Sequence, residues 1–273
     1  MSTRKAVVCV CAALVMVGFA DSVSAQSSAP LTTNRATGEN YHIEISGSLW
    51  DPAPSIFINS ESIEGILGSR IDFVEDLGIE KSWFKQLRVV ARPGEKHKFR
   101  FEYTPIKYQA ETVLNRTLIF NGIAFPVSIP IESEMIWRAY RFSYEWDFVY
   151  KDRGFVGLVL EAKYTDVSAT LTNIFDTEFV HARAPIPAVG IIGRGYVAPN
   201  ISITSEFSFF KVPDIDEDYG GSYFDFDIYG TVNFNDYVGA QGGYRSFDVF
   251  YKIQQDTGDM QVRGPYFGGV VRF

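Results

Sequence analysis

The chain has 273 residues, with 25 Lys and Arg against 33 Asp and Glu and a formal charge of −8. That acidic balance excludes nucleic acid as a partner, because a nucleic-acid face needs concentrated positive charge. Aromatic residues make up 15% of the chain, with 23 Phe, 15 Tyr and 4 Trp beside 23 glycines, and no long helical periodicity is present, which favours an all-β fold.

Residues 1–25 differ in character from the rest. Arg4 and Lys5 precede an apolar run from Ala6 to Ala20, and Val23, Ser24 and Ala25 supply the small residues of a signal-peptidase site. The run is shorter than the roughly 20 residues of a spanning helix, so this segment is expected to be a removable secretory signal peptide, with Gln26 as the mature N-terminus. Both cysteines, Cys9 and Cys11, leave with it, so no disulfide is expected. Residues 26–40 are polar and read as a flexible N-terminal segment.

From Tyr41 onward apolar and polar residues alternate with period two between turn clusters. Phe99, Phe101 and Tyr103 share a face against Arg100, Glu102 and Thr104. Further along, Tyr140, Phe142, Tyr144 and Trp146 oppose Arg141, Ser143, Glu145 and Asp147, and Leu158, Leu160 and Ala162 oppose Val159, Glu161 and Lys163. About ten such strands centre on residues 41–49, 83–92, 97–109, 134–149, 155–170, 184–197, 200–212, 222–234, 237–252 and 262–273, with eight as the alternative count. Tight turns at 92–96, 150–154, 197–200 and 233–236 alternate with longer connections at 50–82, 110–133, 171–183, 213–221 and 253–261. Strands of 9–11 residues or more joined alternately by short and long connections are the pattern of a transmembrane antiparallel up-and-down β-barrel, with the short turns periplasmic. The expected domain is 41–273.

The last strand, GPYFGGVVRF at 264–273, places Phe267, Val271 and Phe273 on one face. It resembles the C-terminal assembly signal of bacterial outer-membrane β-barrels, with Gly269 a mild departure. Segments 69–79, 99–108 and 184–199 are similar to a group of uncharacterised outer-membrane barrels. The resemblance implies an outer-membrane location, outer-membrane lipid as surroundings and the barrel-assembly machinery as a partner during biogenesis. It assigns no activity to particular residues.

If the aromatic faces meet lipid, the lumen holds Glu44, Arg88, Arg100, Glu102, Arg141, Glu145, Glu161, Lys163, Arg194, Glu206, Asp225, Asp227, Arg245 and Arg272. A ten-stranded barrel is narrow, and unpaired charge in such a space is costly, so these groups are expected to form a paired network that closes the lumen. Lipid-facing Leu158 should then reject arginine, while lumen-facing Thr231 should tolerate it better. The expected function is non-enzymatic: a structural, adhesive or ligand-binding role exercised through the outer loops, with an extracellular ligand unspecified. A narrow channel for small or hydrophobic solutes is the alternative, and a hydrolase at the barrel rim comes third, built on His181 with Asp176, Asp214 and Asp216. His42 and His97 lie on the first strand and beside a periplasmic turn. The acidic run Asp214, Asp216, Glu217 and Asp218 has Tyr219 where a calcium loop of the EF-hand type needs glycine. No metal or cofactor is expected. Ser69 to Val74 alternates like a strand and, with Asp72, Glu75 and Asp76, is expected to extend the sheet or cap one mouth.

Overall fold

The period-two segments form β1 (Ile43–Trp50), β2 (Ala53–Asn59), β3 (Arg70–Asp72), β4 (Phe84–Gly94), β5 (His97–Val113), β6 (Leu118–Phe120) and β7 (Ile123–Phe125). They continue as β8 (Pro130–Lys151), β9 (Gly154–Thr172), β10 (Thr177–Ala198), β11 (Ile201–Lys211), β12 (Tyr219–Asn233), β13 (Val238–Ile253) and β14 (Asp256–Arg272). The computed structural model describes residues 36–59, 70–120, 123–212, 219–253 and 256–273. The expected signal peptide and the acidic run at 214–218 lie outside them.

Ten strands, β1, β4, β5 and β8 to β14, form the wall in that order, each antiparallel to its neighbours, and β14 pairs with β1 to close it. The count is therefore ten, not eight. Closure matters because every wall N–H and C=O then has a partner, the condition for a sheet to sit in hydrocarbon. The chain end completes the seam. Phe273 donates its N–H to Ile43 O at 2.8 Å and accepts from His42 and Ile43 N–H at 2.7 and 3.1 Å. Gly47 and Gly269 are direct partners across it. A Cβ on Gly268 would come within 2.1 Å of Gly47 O, so glycine there is what lets the two strands approach. Arg272 Nε and Glu44 Oε2, 2.6 Å apart on the inner side, lock the register.

Exposure follows parity. Leu158 and Leu160 are 47% and 57% exposed on the outside, whereas Glu161 and Lys163 beside them are 6% and 5% exposed on the inside. A soluble sandwich would bury the first pair and expose the second. Here the polar face is interior and the apolar face meets lipid. On β5 and β8 that outer face is a cross-strand ladder of rings, with Phe99 to Tyr144, Phe101 to Phe142 and Tyr103 to Tyr140 at 5.4, 4.9 and 4.9 Å.

At the outer end the wall runs beyond what the alternation indicated. β9 and β10 have 19 and 22 residues, about twice the spanning length, and pair up to Thr172 and Thr177. β13 and β14 pair up to Ile253 and Asp256. The connections expected at 171–183 and 253–261 are thus mostly strand. Toward this end outward Asp166, Ser168 and Thr170 are polar while inward Val167, Ala169 and Leu171 are apolar, so the amphipathic contrast reverses although the pairing continues. β2 resumes the line of β1 after Asp51 and Pro52, since both pair with β14, and β3 adds to β2.

Candidate functional site: the filled lumen

The structure places all fourteen expected lumen charges on the inner face. They comprise seven cations and seven anions, nearly all fully buried. Four more belong with them: Arg92, Lys98 and Asp147 on β4, β5 and β8, and Glu39 from the N-terminal segment. Arg92, Lys98 and Asp147 continue the same alternation toward the periplasmic end and were legible in it. Glu39 lies outside any strand and carried no signal.

Arg141 sits at the centre of the network. Its guanidinium contacts Glu161 and Glu206 directly and reaches Glu102 at 3.3 Å and Asp225 at 3.6 Å. Each of these carboxylates has a second cation. Lys163 is 2.8 Å from Glu161, Arg100 is 2.7 Å from Glu206, Arg88 is 2.6 Å from Glu102 and Arg245 is 2.8 Å from Asp225. Arg88 bridges onward to Asp227 at 3.0 Å, and Lys98 pairs with Glu145 and Asp147 at 2.6 and 2.9 Å. Tyrosines line the same layer. Tyr223 OH donates to Asp225 and Tyr266 OH to Asp227, each at 2.9 Å. Charges in such a space persist only when paired and hydrogen-bonded, and the ten strands arrange that by placing opposite signs across neighbouring inner faces.

Below this layer the chain closes the mouth on the side of the short turns, which the sequence reading makes periplasmic. Residues 36–40 belong to the stretch expected to be flexible, but they are packed across the turns. Thr37 N–H donates to Pro199 O at 2.8 Å, Gly38 N–H donates to Asp236 Oδ1 at 2.9 Å, and Thr37 O accepts from Asn233 Nδ2 at 2.6 Å. Gly38 has φ +84°, and a Cβ on it would lie 2.6 Å from Arg272 Nη1. Glu39 meets Arg194 at 2.9 Å and accepts from Tyr196 OH at 2.8 Å. Burial raises the Glu39 carboxyl, but Arg194, Lys98 and Tyr196 together outweigh it and hold the group below its ordinary range. The correction arises because a polar stretch with paired hydrogen-bonding groups is as able to fill a polar mouth as to float in solvent.

Above the ionic layer the lumen turns apolar. Trp50, Phe84, Ile106, Trp137 and Phe247 fill its width, and Ile71 of β3 with Phe73, Leu77 and Ile79 from the segment after it press down from above, these four each 2% exposed or less. That segment is the cap expected from 69–79. Asp72 Oδ1 accepts from the N–H groups of Val74 and Glu75 at 2.9 and 3.1 Å, and Asp76 is held by Arg116 Nε at 2.9 Å. Cavities of about 30 and 20 Å³ lie where the layers meet, with Gln86, Glu102, Thr104 and Arg245 common to both. Spaces of that size hold one or two waters and no solute.

His181 does not meet Asp176 as expected. Its Nε2 bonds Asp166 Oδ1 at 2.8 Å, and Arg183 Nε reaches Asp166 Oδ2 at 3.3 Å, all on the outward face. The turn after β9 holds Asp176, whose N–H bonds Asn173 Oδ1, while Asp214 and Asp216 lie outside the described residues. The neighbouring backbone N–H groups are committed to pairing between β9 and β10. His97 Nδ1 pairs with Tyr144 OH at 2.7 Å, and His42 Nδ1 lies 3.4 Å from Arg92 O. No group of three or more metal-binding side chains occurs among the described residues.

A closed ten-stranded antiparallel barrel with an apolar outside and a polar inside defines the fold class of the small bacterial outer-membrane β-barrels. A solved structure agrees on the fold. The outer membrane protease OmpT of Escherichia coli superposes with a TM-score of 0.59 at 8% identity, covering 87% of this chain and 98% of its own. Weaker likenesses are to Ail of Yersinia pestis, with a TM-score of 0.37 at 11% identity over 85% of this chain and 99% of its own, and to an outer membrane channel of Pseudomonas putida F1. The latter has a TM-score of 0.39 at 9% identity over 90% of this chain and all of its own. No protein-family model and no curated protein matches the sequence.

Proposed function

We propose that this protein resides in the bacterial outer membrane as a non-conducting, non-enzymatic barrel and acts through its extracellular surface, in an adhesive, ligand-binding or structural role. The supporting observation is that the lumen is filled at three successive levels: the strap at 36–40, the balanced ionic layer around Arg141, and the apolar layer under the cap. A conducting constriction would normally present one sign of charge to a water-filled path, whereas here opposite charges consume one another. Recognition of Phe267, Val271 and Phe273 by the barrel-assembly machinery belongs to the same reading. Planar-bilayer recording on the folded protein tests it. No single-channel steps are expected, and steps of reproducible conductance would establish the channel instead.

A further inference from the structure

The outer wall of β5, β8, β9 and β10 is chemically layered along the register. Tyr103, Tyr140 and Tyr164 are consecutive cross-strand partners and form a tyrosine row, with Phe101, Phe142 and Ala162 as the row below it. One step outward, Arg138, Asp166 and Arg183 are consecutive partners. The next step carries Lys107, Ile136 and His181, and beyond these come Glu134 and Phe179, then Glu111 and Glu132. In its charged and aromatic residues the outward face thus passes from apolar to tyrosine to cationic to acidic, with Ile136 and Phe179 the exceptions.

Each step is two residues, about 7 Å along a strand and about 5 Å along the axis of a barrel whose strands tilt by about 40°. Tyrosine sits at the boundary of the hydrocarbon, and the headgroup region beyond that boundary is about 5 to 8 Å deep. The cationic steps therefore lie at headgroup height and the acidic ones in solvent. In the two cationic steps three permanent cations and His181 face a single carboxylate. Asp166 is engaged by His181 and Arg183, which leaves the exposed Arg138 without an ion-pair partner among the described residues. Lys107 pairs with Glu134 at 2.8 Å but remains 51% exposed.

We propose that Arg138, Arg183 and Lys107, with His181 beside them, form a docking site on the outer wall for the phosphate groups of outer-leaflet lipid. Guanidinium groups suit this role because their planar fork matches phosphate oxygens bidentately. The inference rests on the proposed outer-membrane location and stands whether or not the lumen conducts.

The folded protein in zwitterionic detergent is titrated with diphosphoryl lipid A and with the same lipid stripped of both phosphates, and bound lipid is counted by native mass spectrometry. The phosphorylated lipid should bind more tightly. The double variant R138A/R183A should weaken it by about 10- to 30-fold, while R153A, which removes a cation from a periplasmic turn, should leave it unchanged. Should the double variant fail to fold, Arg138→Ala alone carries the test with a loss of about 5-fold. Equal binding of the two lipids, or undiminished binding by the folded variants, would overturn the proposal.

Discussion

Replacing Arg141 by methionine removes the cation that touches Glu161, Glu206, Glu102 and Asp225 while keeping an apolar side chain of similar length. The ionic set of nine cations and nine anions becomes one cation short. Loss of one partner from a buried pair costs about 3 to 5 kcal/mol, because the uncompensated charge stays in a low-dielectric interior. Each of the four carboxylates keeps a second cation within 2.6 to 2.8 Å, so the low end, about 3 kcal/mol, is expected. Adding Glu206→Gln restores the balance and should recover about 1 kcal/mol or more, the scale of coupling between residues in one network. Urea unfolding in lipid vesicles, followed by tryptophan fluorescence, reads both numbers, provided the slope against denaturant is unchanged. A loss below about 0.5 kcal/mol for Arg141→Met, or a double variant as unstable as the sum of the singles, would refute the idea that mutual pairing holds this layer together.

Leu158→Arg places a charge on the lipid face and should cost about 2 to 4 kcal/mol near the midplane, measurable in the same assay. Thr231→Arg should be no milder, contrary to the expectation from the sequence, because Thr231 is 1% exposed and its hydroxyl accepts from Gln241 in a lumen without spare room. Gly38→Ala should destabilise by about 1 to 3 kcal/mol through its positive φ alone, with further loss from the contact with Arg272, and limited proteolysis of residues 36–41 should accelerate. At the cap, burial raises the Asp76 carboxyl, but the hydrogen bond and charge of Arg116 with the Asp72 backbone N–H together prevail and hold it below the usual value. A carboxyl lowered in the folded state stabilises above its unfolded pKa of about 3.9 and loses that contribution as pH falls through the folded value. Hydrogen exchange of residues 70–79 should therefore rise below about pH 4 in the native protein and show no such step in Asp76→Asn.

The positions of the strands and the side of the wall each residue faces were legible because both depend on a local rule. Successive side chains alternate, so Glu161 and Leu160 must point opposite ways whatever the rest of the chain does. Alternation by itself fits a sandwich as well as a barrel. The exposure of Leu158 and Leu160 beside buried Glu161 and Lys163 decides between them. Residues 171–183 and 253–261 were misjudged as connections because the contrast reverses there, with apolar side chains such as Leu171 and Met260 packed on the inside instead of facing lipid.

The sequence by itself determined about ten strands and which side chains share a face, since both follow from period two and turn spacing; that the count is ten and that the polar face is the inner one came from the closed sheet and its exposure. Only the tertiary structure decided that residues 36–40 fill the periplasmic mouth, that Glu39 meets Arg194, that Arg141 gathers four carboxylates, and that the segment after β3 seals an apolar upper lumen. Those contacts join residues far apart in the chain, and which of many complementary charges pair is set by where barrel closure places the strands, a fact no local pattern encodes.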